Sequence, residues 1–174
     1  MEIRGDVNLK GEEWLKALKL LAPFFTQSSQ PNYSIYAISM SIGIMYDKQS
    51  DIAGEETDEC KENPKSVPRT VLYQHNLDLD FLFQAAILTS AQVTFTEDER
   101  MNLAFNEVCD IPFDRMSFLT KFANFGVGKL LEQVADEPVE TMQNIKKFLA
   151  ATVEGYNYEI DSIPEDDFDL EDIE

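Results

Sequence analysis

The chain has 174 residues, of which 44% are hydrophobic, with 33 Asp and Glu against 14 Lys and Arg, a formal net charge of −19. That is one ordinary domain with ample apolar material for a core. The charge repels nucleic acid and anionic lipid at neutral pH, and no run of about 20 apolar residues offers a membrane span.

From Gly11 to Phe25, Trp14, Leu18, Leu21, Ala22 and Phe25 recur on one helical face, and Pro23 ends or bends the helix near its last turn. After the turn signal SSQPN, Tyr33 to Tyr46 carries two apolar stripes: Ile35, Ile38, Ile42 and Met45, then Tyr36, Met40 and Gly43. Apolar residues on both sides predict a central helix. Its small residues Ala37, Ser39, Ser41 and Gly43 would let a neighbour approach closely. Residues 47–66 are polar, acidic and broken by Gly54 and Pro64, which predicts a long loop without structure of its own. Thr70 to Tyr73 reads as a short strand or an extended entry to the next helix. Asp78 or Asp80 is expected to cap that helix, with Leu82, Ala85, Ala86 and Thr89 turned inward.

Thr96 and Glu99 have the spacing of a capping box, and the helix behind them groups Met101, Ala104, Phe105 and Val108. Pro112 marks a further helix start, with Phe113, Met116, Leu119, Phe122 and Ala123 as its seam until Gly126 and Gly128 interrupt it. Pro138 opens a last amphipathic helix bearing Val139, Met142, Ile145, Phe148 and Leu149. The expected fold is mainly α. A single-domain bundle of about six helices spans residues 1–158, with one short β element, the acidic loop 47–66 and a flexible acidic tail, 159–174.

No constellation for catalysis emerges, so a non-enzymatic protein without metal or cofactor is expected. His75 is the only histidine, and Asp78 and Asp80 beside it are more simply helix caps than metal ligands. GVGK, Gly126 to Lys129, is a fragment of a phosphate-loop pattern that lacks the preceding strand and the following Ser or Thr. Helix kinking or close packing explains it better. Glu59, Cys60 and Lys61 with Asp51 loosely suggest a nuclease core, but that chemistry needs acid and lysine on adjacent rigid strands. Cys60 and Cys109 lack metal-type spacing, which predicts free thiols in a reducing cytoplasm. The polar opening MEIRGDVNLKGEEW does not look like a secretory signal.

The charge itself is the informative feature. Nine carboxylates and no Lys or Arg lie between Glu159 and Glu174, and six more carboxylates lie between Asp51 and Glu62. In the tail, acids alternate with apolar residues, which suits a recognition segment steered by charge and anchored by Phe168 and Leu170. The candidate partner-binding residues are Glu165, Asp166, Asp167, Phe168, Asp169, Leu170, Glu171 and Asp172, together with Glu55, Glu56, Asp58 and Glu59. The expected partner is a basic protein, such as a DNA-handling enzyme, with no direct contact to nucleic acid or membrane. The alternative is a DNA mimic competing for a basic cleft, which needs carboxylates held rigidly at phosphate-like spacing.

The order YSIYAISMSIGIMYDK, a polar stretch, LDFLFQAAILTS and FANFGVGKLL resembles a small accessory family found beside bacterial DNA phosphorothioation (Dnd-type) systems. The family's E-Y-A-N-G-G-like segment appears here as Lys121-Phe122-Ala123-Asn124-Phe125-Gly126, with Lys for Glu, Phe for Tyr and Phe for the first Gly. The resemblance implies a non-catalytic role in DNA modification or phage defence and transfers no active-site residue.

Overall fold

The structure is a computed structural model that describes residues 1–25, 30–106 and 111–153, with Thr152 and Val153 described by backbone alone. Two compact units divide the chain, Met1–Leu131 and Glu132–Glu174. The first unit is a helical bundle with one small sheet. Its elements are β1 (Val7–Leu9), α1 (Glu12–Leu21) with a 3-10 turn (Ala22–Phe25), α2 (Pro31–Tyr46), α3 (Asp58–Glu62), β2 (Lys65–Val67), α4 (Arg69–Gln74), α5 (Asn76–Thr89), α6 (Glu97–Phe105) and α7 (Arg115–Leu131). In the second unit the described helix is α8 (Pro138–Val153).

The bundle is organised by α2 and α7, the most extensive helix pair. Their crossing is set by small residues. A Cβ on Gly43 would lie 2.0 Å from the Phe122 carbonyl oxygen, and one on Gly126 would lie 1.8 Å from that of Ser39. Backbone therefore touches backbone, and no side chain larger than hydrogen fits. This close contact explains why α7 runs unbroken through Gly126, and the helix continues past Gly128, which faces the Glu13 carboxylate, correcting the expected interruption there. Packing overrides the weak helix propensity of glycine. Around the crossing, Tyr36, Met40, Ile42, Leu119, Phe122 and Val127 are all buried. Phe83, Phe113, Phe118 and Phe122 continue the core as a chain of tilted and edge-on ring contacts with centroids 5.0–6.0 Å apart.

Several local expectations are corrected. The sheet joins β1 and β2 antiparallel, Val7 opposite Val67 and Leu9 opposite Lys65, whereas Thr70 to Tyr73 belongs to α4. That helix has no side-chain cap of its own; Asp6 Oδ1 accepts from the Arg69 amide at 2.8 Å instead. α5 begins at Asn76, so neither Asp78 nor Asp80 is its cap. Asp78 lies in the first turn, and Asp80 accepts from the Met1 amine at 2.9 Å. The buried face of α5 is Leu79, Phe83, Ala86 and Ile87. On α6, Leu103 and Ala104 are buried while Met101 and Phe105 are exposed. The Thr96–Glu99 capping box is present, with both reciprocal hydrogen bonds.

In the second unit, Pro138 takes the first position of α8, where its missing N–H costs nothing. Thr141 Oγ1 accepts from the Ala135 amide at 2.9 Å and donates to the Ala135 carbonyl at 3.1 Å, tying the helix to the segment before it. Phe148 is buried, but Val139 and Met142 are exposed rather than part of an inner face.

Candidate functional site

The acidic stretch 47–66 is not an unstructured loop. Asp47 ends α2 in the left-handed conformation, φ 48°. Its carboxylate accepts from Ser90 Oγ at 2.5 Å and from the Ala91 amide at 2.8 Å, and its carbonyl accepts from Gln92 Nε2 at 3.0 Å. Asn124 then holds the next turn from α7. Its Nδ2 donates to the carbonyls of Ser50 and Asp51 at 3.1 and 3.0 Å, while its Oδ1 accepts from the fully buried Trp14 indole at 2.9 Å. The Ser50 amide donates to the Lys121 carbonyl at 2.9 Å, and Lys121 Nζ pairs with Asp51 at 2.8 Å. The hydrogen bond and charge of Lys121 hold the Asp51 carboxyl below its ordinary range.

The stretch also caps α1. The amides of Glu12 and Glu13 donate to the carbonyls of Glu55 and Ala53, and the Ala53 amide donates to the Lys10 carbonyl. Gly11 makes this possible. With φ at 110°, it leaves room for the Ala53 carbonyl oxygen 2.0 Å from where a Cβ would sit. The orphan donors of the helix start are thus satisfied by backbone rather than by a side chain.

Beyond this anchor the chain presents its acids. Glu55, Glu56, Asp58, Glu59 and Glu62 are exposed. Thr57 caps α3 by accepting from the Cys60 amide, so Asp58 and Glu59 sit in the first turn, where negative charge suits the helix dipole. Lys61 pairs with Asp58 at 3.2 Å, both ends exposed, a contact of small energetic weight. Of the expected partner-binding residues, Glu55, Glu56, Asp58 and Glu59 therefore stand together on one fastened segment. Glu165 to Asp172, with Phe168 and Leu170, lie outside the described residues, as does Cys109. Cys60 is a free thiol.

The nuclease-like residues do not assemble. Glu59, Cys60 and Lys61 are consecutive within α3, not on adjacent strands, and Asp51 is held by Lys121. His75 stacks on Tyr33 with centroids 4.0 Å apart and contacts Asp78 through Nδ1 at 3.4 Å. Burial, reinforced by the Asp78 charge, pushes the Tyr33 phenol up to about 12. Among the described residues no group of three or more His, Cys, Asp or Glu could hold a metal ion, and no helix is long and apolar enough to cross a membrane.

A cleft of about 1060 Å³ in the first unit runs beside β1 and the start of α7. Arg4, Lys10, Arg115 and Lys121 line it with Glu2, Asp6, Asp51 and Asp114, a balance of charge that no sequence pattern announced. Most of these groups are already engaged. Arg4 pairs with Glu2 at 3.1 Å and Lys121 with Asp51. Arg115 lies over the Phe83 ring and donates to the Asn106 carbonyl, and Asp114 accepts from the Ser117 amide at 2.9 Å to start α7. The segment Lys121 to Gly126, on which the family resemblance rests, likewise has structural work: Phe122, Ala123, Asn124 and Gly126 are buried at the α2–α7 crossing or its loop clip. Comparison of the chain with protein-family models, with curated proteins and with solved structures finds no match.

Proposed function

We propose that this is a non-catalytic acidic interaction protein that engages a basic protein partner. The observation that carries the reading is the display of Glu55, Glu56, Asp58 and Glu59, all exposed, on a segment fastened to α1 and α7 through Ala53, Asn124 and Lys121. Acids presented from a fixed support lose little freedom when they bind, which favours affinity as well as steering. The carboxylates of Glu165 to Asp172 would add to the attraction for such a partner, with Phe168 and Leu170 as anchors. The resemblance over residues 33–135 gives the proposal its concrete form: an accessory subunit or regulator in a prokaryotic DNA-modification or phage-defence system, with a DNA-handling enzyme as partner.

Affinity capture from a prokaryotic host extract tests it. The chain should retain a protein of high isoelectric point, and a variant with Glu55→Gln, Glu56→Gln, Asp58→Asn and Glu59→Gln should retain at least tenfold less. Equal retention by the two would end the reading. A second reading, competition with nucleic acid for a basic cleft, gains from the fastening of residues 47–62, because mimicry requires carboxylates fixed in space. A salt-sensitive loss of DNA from the partner on addition of the chain supports it; a ternary complex with DNA excludes it.

A further inference from the structure

α5 has two opposed apolar faces, and among the described residues only one of them is covered. Leu79, Phe83, Ala86 and Ile87 are buried. At about 100° per residue, Leu77, Phe81 and Leu88 fall on the other side. Leu77 is 84% exposed and Phe81 70%, while Leu88 is half-buried. On α6, which packs along α5, Met101 and Phe105 are 48% and 57% exposed, again four residues apart. Large apolar side chains this open, aligned along one helix, mark a contact surface rather than a solvent face.

The charge around the stripe selects the occupant. α5 and α6 carry Asp78, Glu97, Asp98 and Glu99, besides Asp80, whose charge the Met1 amine offsets, and α5 has no Lys or Arg. The one cation on α6, Arg100, is turned onto the carbonyls of Ser90, Val93 and Phe95 at 2.7, 2.9 and 3.1 Å. A second copy would bring like charges together in a chain of net charge −19, and the acidic segment 159–174 would do the same. We infer that the Leu77–Phe81–Leu88 stripe of α5 is a docking face for a basic amphipathic helix of the partner. Its apolar residues would cover Leu77 and Phe81, and its Lys or Arg would flank them beside Asp78. This rests on the proposed function and adds to it the place and the shape of the partner element.

A Leu/Lys peptide designed as an amphipathic helix is the probe, with a scrambled peptide of the same composition as control. The amphipathic peptide should bind saturably, slow amide exchange along α5, and bind at least tenfold more weakly to a Leu77→Ser/Phe81→Ser variant. The scrambled peptide should bind more weakly and ignore that change. Equal binding of the two peptides, or full affinity for the double variant, overturns the docking face. A dimer of the chain that the double variant abolishes also overturns it, because the occupant would then be a second copy. If neutralising Glu55, Glu56, Asp58 and Glu59 weakens the peptide while the Ser variant does not, the acidic reading survives and the α5 face falls. If neither changes affinity, both fall. Exchange mapping on the unaltered chain gives the same decision without relying on a variant to fold.

Discussion

Trp14 donates its indole N–H to Asn124 Oδ1 at 2.9 Å, and the same amide group holds the carbonyls of Ser50 and Asp51. One buried side chain thus joins α1, α7 and the start of the acidic segment. Asn124→Ala should leave the indole N–H buried without a partner and release two carbonyls, lowering unfolding free energy by about 2–4 kcal/mol. Denaturant titration reads the loss, and hydrogen exchange should quicken at Ser50 and Ala53 before it does at α5. Unchanged exchange there would mean that the segment is held without Asn124.

The α2–α7 crossing makes two opposite forecasts at neighbouring positions. Gly126→Ala and Gly43→Ala each drive a Cβ into backbone at 1.8–2.0 Å. Each should cost roughly 3 kcal/mol or more, or prevent folding. Ser39 beside them is fully buried, and its hydroxyl has no hydrogen-bond partner among the described residues. Removing an unsatisfied polar atom without changing the packing should stabilise, so Ser39→Ala should gain about 1 kcal/mol. Thermal unfolding of the three variants separates the two effects.

Arg100 forecasts a change that looks conservative and is not. Its guanidinium serves the carbonyls that follow α5, from Ser90 to Phe95. A lysine cannot present several donors in a plane, so Arg100→Lys should cost about 1–3 kcal/mol. A chemical-denaturation midpoint within error of the parent would refute that role.

The acid limb of stability should depend on Glu99 and Asp51. Backbone and side-chain hydrogen bonds from Thr96 hold Glu99 below its ordinary 4.5, and Lys121 holds Asp51 below its ordinary 3.8. Both contributions are therefore complete above those ordinary values and vanish as pH falls through the depressed folded ones. Glu99→Gln should weaken stability at neutral pH and converge with the parent in strong acid, as followed by denaturant midpoints across pH. At the alkaline end, burial raises the phenols of Tyr33 and Tyr36. The stability this gives is complete below pH 10 and is lost as pH rises through the folded values. Phenolate absorbance for these two should lag behind that of exposed tyrosines.

What was legible in the sequence is the set of helices that carry local signals. The α1 face, the Thr96–Glu99 box and Pro138 each rest on neighbours within a turn or two. The close approach at α2 was legible as well, because Ser39 and Gly43 recur at helical spacing. What stayed hidden depends on distant partners. α4 is started by Asp6, 63 residues away, and the turn at Ser50 and Asp51 is fixed by Asn124, more than 70 residues away. The inward face of α5, read as Leu82, Ala85, Ala86 and Thr89, is buried only at Ala86 among these four, because apolar residues surround that helix and periodicity alone does not choose among its faces. The exposed acids were legible as composition, but their fastening was not.

The acids mounted on residues 51–62 are proposed to bind a basic protein. The decisive measurement is the dissociation constant of the purified partner for the chain and for the Glu55→Gln/Glu56→Gln/Asp58→Asn/Glu59→Gln variant, at low and at physiological salt. The complex with the variant should be at least tenfold weaker and less sensitive to salt, with thermal stability little changed. Equal affinity and an equal salt slope would contradict it.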